Sequence, residues 1–240
     1  MTHILAIDTS SAWCSVALSL DNIAPIARHQ KVSAGASQLL LPWIQDLLSE
    51  ASIELADLDA IAIGIGPGAF TGVRLGVAAV QGLATAARLP VLPVASLDAI
   101  ASQLVQTPTF IASGAQSFVI AVDARMGEIY WASYRVGVNL LPARQGDIHL
   151  TAPERVELTQ IDFLAGSAIM EFGDRLFTSA PSPFPSTRID SAIGVNALGV
   201  LAYAQDMWSQ GLQQDVHLLE PLYIRNKVAL TSAERSQLHG

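Results

Sequence analysis

Apolar and polar residues in the first part of the chain follow two periods, one typical of strands and one of helices. An apolar run over residues 4–7 ends at Asp8, and polar and apolar residues alternate over 15–20, which predicts two strands joined by a turn. A third strand is predicted over 23–30. Apolar residues then recur every three or four positions over 38–51, which predicts an amphipathic helix.

The rest of the first half alternates between strands and helices. In order, the pattern predicts a strand over 58–65, a helix over 71–88, a strand over 91–94 and a helix over 96–105. Ser37 and Ser96 stand where two of these helices are expected to begin, and serine is a preferred N-cap. Small and polar residues over 107–116 are expected to form a boundary loop between two lobes, 1–106 and 117–240.

The opening pattern returns after this boundary. An apolar run over 117–122 ends at Asp123, and a strand is predicted over 128–134 after a short turn. The shift that places Asp8 on Asp123 also places Ala17 on Ala132. The chain is therefore predicted to be duplicated, an α/β protein of two lobes, each with a sheet and flanking helices.

The second half is less regular than the first. It contains a strand-to-turn segment over 163–167, a proline-rich loop over 180–185 and a strong helical pattern over 196–208. Residues 221–225 are expected to form a short docked segment, followed by a frayed polar end.

The composition indicates a soluble protein that contacts another protein. Apolar residues make up 51% and charged residues 14%, against about 25% charged in typical soluble domains. The longest apolar stretch, 75–87, is shorter than the ~20 residues that span a membrane. No basic leader precedes Asp8, and the single cysteine, Cys14, fits a core position in a reducing compartment, so we expect a cytoplasmic protein.

The charge balance argues against a nucleic-acid-binding surface on this chain alone. The chain has 13 Lys and Arg against 21 Asp and Glu, which gives a net charge of −8, and the sequence contains no run of basic residues. An acidic surface repels RNA, so another chain would have to hold most of any bound RNA. The histidines form no pair at helical metal-binding spacing, which disfavours a metallohydrolase; they are His3, His29, His149, His217 and His239.

The two aspartates at the strand ends allow two interpretations. Strand-turn-strand units that each carry an aspartate suit a fold that binds a nucleotide between two related lobes, with Asp8, Thr9, Ser10 and Asp123 lining the cleft. Alternatively, the carboxylates only accept hydrogen bonds from the amides of their own turns. The spacing does not decide between them.

The glycine-rich turn over 64–72 matches neither a Walker loop nor a dinucleotide fingerprint. In the helix that follows, Gly72, Gly76 and Ala79 are spaced so that a second helix could approach closely, either from this chain or from a partner. We predict a partner surface on the two N-terminal helices. Its candidate residues, including two leucines and an arginine, are Leu41, Leu48, Gly72, Arg74, Gly76 and Ala79.

Four segments, 4–10, 66–74, 123–132 and 221–225, resemble the TsaB (YeaZ) family in the same order along nearly the whole chain. The resemblance implies a duplicated actin-like ATPase fold with a mixed sheet in each lobe. It also implies membership of the complex that transfers threonylcarbamoyl from threonylcarbamoyl-AMP to N6 of the adenosine beside the tRNA anticodon. The partners implied are the catalytic paralogue TsaD and the ATPase TsaE, with tRNA reached only through the complex.

The same resemblance implies a non-catalytic subunit that needs no cofactor. Residues 94–98 occupy the region where the catalytic paralogue carries metal-binding histidines, and they contain none. Weak nucleotide binding at the partner interface and a homodimer in the partner's absence are further expectations. One departure is Ala36, which stands where relatives often have histidine.

Three functions therefore remain open at this point. The first is a scaffold or activator of a catalytic partner. The second is a stand-alone small-molecule kinase or ATPase of the same fold, which would bind magnesium nucleotide by itself. The third is a metallopeptidase, for which the sequence offers no nucleophile and no metal ligands in a usable pattern.

Overall fold

The computed structural model describes residues 2–20, 23–32, 35–137, 141–180 and 184–225 of the chain. Within these ranges, ten strands form two five-stranded sheets. The first sheet contains β1 (His3–Asp8), β2 (Trp13–Leu20), β3 (Ile23–Lys31), β4 (Ala60–Gly64) and β5 (Val91–Val94). The second contains β6 (Ser117–Asp123), β7 (Ile129–Val136), β8 (Pro142–Thr151), β9 (Phe163–Ala165) and β10 (Ile189–Asp190).

The two sheets have the same topology. The strand order is β3-β2-β1-β4-β5 in the first and, read in the same direction, β8-β7-β6-β9-β10 in the second. In each sheet the first strand along the chain pairs antiparallel with the second and parallel with the fourth. Asp8 and Asp123 end the corresponding strands β1 and β6. The predicted duplication is confirmed, and the repeated mixed sheet with flanking helices is the actin-like fold.

Helices cover the sheets and supply most of the remaining core. They are α1 (Ala36–Glu50), α2 (Phe70–Ala87), α3 (Ser96–Leu104), α4 (Pro108–Ser113), α5 (Ala168–Phe172) and α6 (Ala197–Ser209). Short 3₁₀ segments lie at Leu55–Asp57, Pro153–Arg155, Gly173–Ser179, Ser186–Arg188 and Val216–Leu218. None of the described helices is both long and apolar enough to cross a membrane.

The central strand β1 is buried on both faces because helices pack on each side of its sheet. Successive side chains of a strand point to opposite faces. Leu5 and Ile7 accordingly pack in the cluster that contains α1 and α2. Ile4 and Ala6 pack in a second cluster with α3 and α6, which continues into the second sheet through residues such as Phe118. One apolar core thus joins the two lobes.

Several predicted boundaries were wrong in detail. Helix α1 begins at Ala36 after Gly35, whose φ of 108° is left-handed, so Ser37 is not its cap. Ser96 is the first residue of α3 rather than its cap. The expected loop over 107–116 contains α4, whose start was signalled by the N-cap Thr107 before Pro108. Residues 21 and 22, between the second and third predicted strands, and the polar end after 225 lie outside the described residues.

The C-terminal part of the chain returns to the first lobe. The Ala197 N–H donates to the Ser15 hydroxyl at 2.9 Å, which seats α6 against β2. A Cβ at Gly199 would overlap the carbonyl oxygen of Ala99, so α6 lies directly on the backbone of α3. The strands predicted for the second lobe do form one sheet, but α6 at the end of that segment packs on the first lobe.

Candidate functional site

The turn after β1 carries the predicted cleft residues Asp8, Thr9 and Ser10, and all three are buried. The Asp8 carboxylate accepts a hydrogen bond from the Ser10 N–H at 3.1 Å and from the Ser10 hydroxyl at 2.9 Å. The Thr9 hydroxyl donates to the Gly72 carbonyl oxygen at 2.7 Å. The Ser10 hydroxyl also lies 3.0 Å from that of Ser96, at the start of α3. Each of the three side chains is thus engaged within the chain.

The glycine-rich loop lies directly on this turn. A Cβ at Gly64 would overlap the Asp8 carboxylate, one at Gly68 the Ser10 carbonyl oxygen and one at Gly72 the Thr9 carbonyl oxygen. The Ala69 N–H donates to that same Ser10 carbonyl oxygen at 2.6 Å. The glycines therefore allow close approach of backbone to backbone. Asp8, Thr9 and Ser10 lie buried beneath this loop.

Burial controls the protonation of Asp8. Removal from water disfavours the charged form and raises the pKa of the Asp8 carboxyl to about 7, although the hydrogen bonds from Ser10 oppose the shift. The group therefore holds a proton at pH values where an exposed aspartate is ionised. This protonation suits a structural hydrogen-bonding role better than cation binding.

Asp123 occupies the corresponding turn of the second lobe, between β6 and β7. Its carboxylate accepts a hydrogen bond from the Arg125 N–H at 2.7 Å and lies 3.2 Å from the Arg125 guanidinium. Its own N–H donates to the Ser167 hydroxyl at 3.1 Å. Asp123 thus stabilises its own turn, and within the described ranges no hydrogen bond or ion pair joins it to Asp8.

The predicted partner residues divide into two groups. Leu41 is 52% exposed and Arg74 is exposed, while Leu48 and Ala79 are partly buried. Gly72 and Gly76 face inward instead. A Cβ at Gly76 would crowd the Thr9 hydroxyl and the Ile63 side chain. The expectation that these two glycines open a groove to a partner needs correction, because the β1–β2 turn and β4 of this chain fill that space.

An apolar groove lies along α1 and is bounded by residues 53–55 and by Leu83 of α2. Its volume is about 420 Å³, and its walls are mainly aliphatic. The lining residues are Leu41, Ile44, Gln45, Leu48, Ser49, Ile53, Glu54, Leu55 and Leu83. Leu41 and Leu48 are therefore brought together, and Ile53, Leu55 and Leu83 belong to the same surface although their spacing in the sequence did not reveal it.

A buried polar cluster between α3 and the second sheet was also not predicted. The Tyr134 hydroxyl donates to the Asp98 carboxylate at 2.8 Å, and the Arg144 guanidinium lies 3.7 Å from its other oxygen. Burial raises the pKa of Asp98, with Arg144 and Tyr134 opposing the shift. The cluster connects the lobes in the region where the sequence analysis noted the absence of histidines.

Cys14 is buried at the start of β2, as expected for a core cysteine. Burial raises the pKa of its thiol to about 11, so the reactive thiolate is disfavoured. In the part of the chain that the structure describes, no three His, Cys, Asp or Glu side chains are grouped so that they could hold a metal ion.

Comparisons with known proteins connect this architecture to one family. The family model described as "TsaD: tRNA N6-adenosine threonylcarbamoyltransferase" matches residues 29–188. The tRNA threonylcarbamoyladenosine biosynthesis protein TsaB of Escherichia coli (strain K12) is 34% identical over 229 residues, which cover 95% of this chain and 96% of that protein. The protein of the same name from Haemophilus influenzae is 32% identical, with 94% of each chain covered.

A solved structure agrees with these relatives. A Pseudomonas aeruginosa protein, described as having similarity to the peptidase YEAZ, superimposes with a TM-score of 0.82 at 34% identity. The match covers 94% of this chain and all of that one. Since both the sequence relatives and the structure are covered almost completely, the chain belongs to the TsaB (YeaZ) family.

Proposed function

We propose that this chain is a subunit of the machinery that makes threonylcarbamoyladenosine in tRNA, and that it acts as a non-catalytic scaffold or activator of the catalytic paralogue TsaD. In this role, TsaD would transfer threonylcarbamoyl from threonylcarbamoyl-AMP to N6 of the adenosine beside the anticodon. The names of the relatives with high coverage support the pathway. The division of labour within the complex is our inference.

The observation that carries the proposal is the apolar groove between α1 and α2. Leu41 exposes half of its surface there, in a groove whose walls are largely aliphatic side chains. A groove between two helices suits an amphipathic helix from another chain, and a TsaD subunit of related fold would offer one from its equivalent lobe. Pairing through this groove would give TsaD a fixed neighbour without any chemical step by this chain.

The geometry of the Asp8 turn favours a non-catalytic role over the kinase alternative. A kinase of this fold would use the turns after β1 and β6 to hold phosphate and a metal ion. Here the loop from Gly64 to Gly72 covers Asp8, and Asp123 is engaged with Arg125. We therefore propose that the chain requires no cofactor. Any weak nucleotide binding would occur at the interface with TsaD, and the ATPase TsaE would be a further partner of the complex.

The net charge of −8 supports a division of labour in RNA binding. The isolated chain is expected to bind tRNA weakly at physiological salt, and TsaD is expected to supply most of the phosphate contacts. The complex, rather than this subunit, would then be the tRNA-binding unit.

Substitution of Leu41 tests the groove directly. Leu41→Arg places a charge in the apolar groove while leaving the buried side of α1 unchanged. We expect the affinity for TsaD of the same organism, measured by isothermal titration calorimetry, to fall by about 30-fold or more, since loss of an interface hot spot costs about 2 kcal/mol.

The matched control is Ile111→Arg on α4, because Ile111 is 55% exposed and does not line the groove. It should bind TsaD like the unmodified chain. The same groove would form a two-fold homodimer in the absence of TsaD, so Leu41→Arg should also shift the isolated chain toward monomer in sedimentation experiments. Unchanged TsaD affinity in a folded Leu41→Arg variant would reject the groove as the pairing surface.

A further inference from the structure

The C-terminal segment Pro221–Arg225 contacts both lobes. Its upstream anchor lies on the first lobe, where the Gln81 side chain donates to the Leu219 carbonyl oxygen at 3.0 Å. Leu222 and Ile224 pack against the core that the two lobes share. The segment therefore runs from the first sheet toward the second across the region between the Asp8 and Asp123 turns.

On the first lobe, the segment holds the glycine-rich loop and the start of α2. The Leu222 N–H donates to the Ile65 carbonyl oxygen at 2.8 Å. The Tyr223 hydroxyl accepts a hydrogen bond from Arg74 Nε at 2.8 Å, and the Arg74 guanidinium stacks 3.8 Å from the centre of the Phe70 ring. Three residues of the first lobe are thus tied to two successive residues of the segment.

On the second lobe, Arg225 holds the turn between β6 and β7. Its guanidinium donates to the carbonyl oxygen of Ala124 at 3.1 Å and lies 2.9 Å from the Glu128 carboxylate. It also lies 3.1 Å from the Met126 sulfur, and only 14% of the Arg225 side chain is exposed. The Arg225 side chain therefore contacts both ends and the middle of the turn.

This turn has a backbone conformation that needs support. Arg125, Met126 and Gly127 have successive φ values of 63°, 57° and 74°, and the first two are not glycine. Side chains disfavour left-handed backbone, and such residues persist where their surroundings hold them. Asp123, the Ser167 hydroxyl and the hydrogen bonds within the turn hold this turn from the second lobe. Arg225 adds contacts from the C-terminal segment, to the Ala124 carbonyl oxygen and the Glu128 carboxylate.

We propose that Pro221–Arg225 is a latch between the lobes. It couples the loop that covers Asp8 to the turn that carries Asp123, so that the two regions open together when either end of the latch is released. The latch belongs to the isolated chain independently of any partner.

Hydrogen exchange of single amides in the full chain tests this coupling. Arg225→Ala releases the second-lobe end, and we expect the amides of Ala124, Glu128 and Leu222 to exchange faster by roughly tenfold. The buried amides of β1 and β4 should keep their protection. The control, Arg188→Ala, removes an arginine whose ion pair with Asp162 stays within the second lobe, and it should leave those three amides unchanged.

Tyr223→Ala makes the decisive comparison, because it removes the side-chain tie to Arg74 at the first-lobe end. The exposed Tyr223 side chain can be removed without opening the core. A latch predicts faster exchange at Ala124 and Glu128, which Tyr223 does not touch. Faster exchange confined to residues around Arg74 would overturn the proposal, since it would show a local tie without coupling. Unchanged exchange at Ala124 and Glu128 in a folded Arg225→Ala variant would also overturn the proposal. If Arg225→Ala does not fold, the Tyr223→Ala result decides.

Discussion

Asp8 shows how burial changes the meaning of a residue that a sequence pattern marks as functional. Its position at the end of β1 fits a nucleotide cleft, yet its carboxylate is fully buried beneath Gly64 and bonded to Ser10. A charged group in that position would lose its hydration, so the pKa of Asp8 rises to about 7. At the scale of a single residue, Asp8 is a hydrogen-bonding group that holds the turn and is mostly protonated below pH 7.

The raised pKa of Asp8 predicts a pH dependence of stability with a definite sign. Between the unfolded value of 3.8 and the folded value of about 7, the folded state binds a proton that the unfolded state does not. The free energy of unfolding should therefore fall as the pH rises through this window and level off above it, by roughly 4 kcal/mol in total. Below pH 3.8 the stabilising contribution of protonated Asp8 to the free energy of unfolding is fully present.

Asp8→Asn isolates this effect, because an amide keeps the hydrogen bonds to Ser10 and does not titrate. The free energy of unfolding of both proteins would be measured in urea at pH 5 and pH 8. Relative to that of the unmodified chain, the value for the variant should rise by about 2–3 kcal/mol from pH 5 to pH 8. If the free energy of unfolding changed with pH by the same amount in both proteins, Asp8 would be ionised in the folded state, contrary to its burial.

The glycines of α2 show how the same residue type differs in role along one element. Gly72 and Gly76 let α2 lie against the β1–β2 turn and β4, whereas a Cβ at Gly82 would meet nothing within 4 Å. Close packing at the first half of α2 thus fixes the helix on the sheet. The second half, which carries Leu83, contributes to the groove proposed for partner pairing.

Alanine substitutions at these glycines should have opposite effects on stability. Gly72→Ala forces a methyl group into the Thr9 carbonyl oxygen and should destabilise the fold by about 1–3 kcal/mol or more. Gly82→Ala adds a methyl group in open space and should stabilise the helix by about 0.5–1 kcal/mol. Urea unfolding measures both changes.

Equal free energies of unfolding for the two alanine variants would contradict the close packing of the first half of α2 against the β1–β2 turn. Because Gly76 faces inward, a bulky residue there would act on the packing of this chain itself. Gly76→Leu should lower the stability of the folded chain itself, rather than act mainly on partner affinity.

The elements that sequence reasoning found are those with strong local periodicity. The strands β1, β2 and β6 alternate or run apolar, and the helices α1, α2 and α6 repeat at helical spacing. Strand β8 was missed because its sequence is polar and much of it is exposed at a sheet edge. The groove and the inward glycines could not be predicted either, because the spacing of Gly72 and Gly76 allows close approach on the inside or the outside of the lobe equally well.

At the scale of the whole molecule, three long-range features join the two lobes. They share one apolar core, the Asp98 carboxylate contacts Tyr134 and Arg144 across the boundary, and α6 returns from the second sheet to the first. The latch adds a fourth connection. Contacts between residues so far apart in the sequence leave no local pattern. The sequence therefore predicts two separate lobes, whereas in the fold these contacts join them. The two lobes therefore share a core and several polar contacts, and the first lobe carries the apolar groove.

Reconstitution of the modification reaction tests the central claim most directly. Purified TsaD and TsaE of the same organism would be combined with threonylcarbamoyl-AMP, ATP and unmodified tRNA, and threonylcarbamoyladenosine would be measured by mass spectrometry of the digested tRNA. We predict that the product forms with the unmodified chain or Ile111→Arg, and falls to the level without this chain when Leu41→Arg replaces it. Equal product formation with and without the chain would contradict the proposal that it activates TsaD by pairing with it.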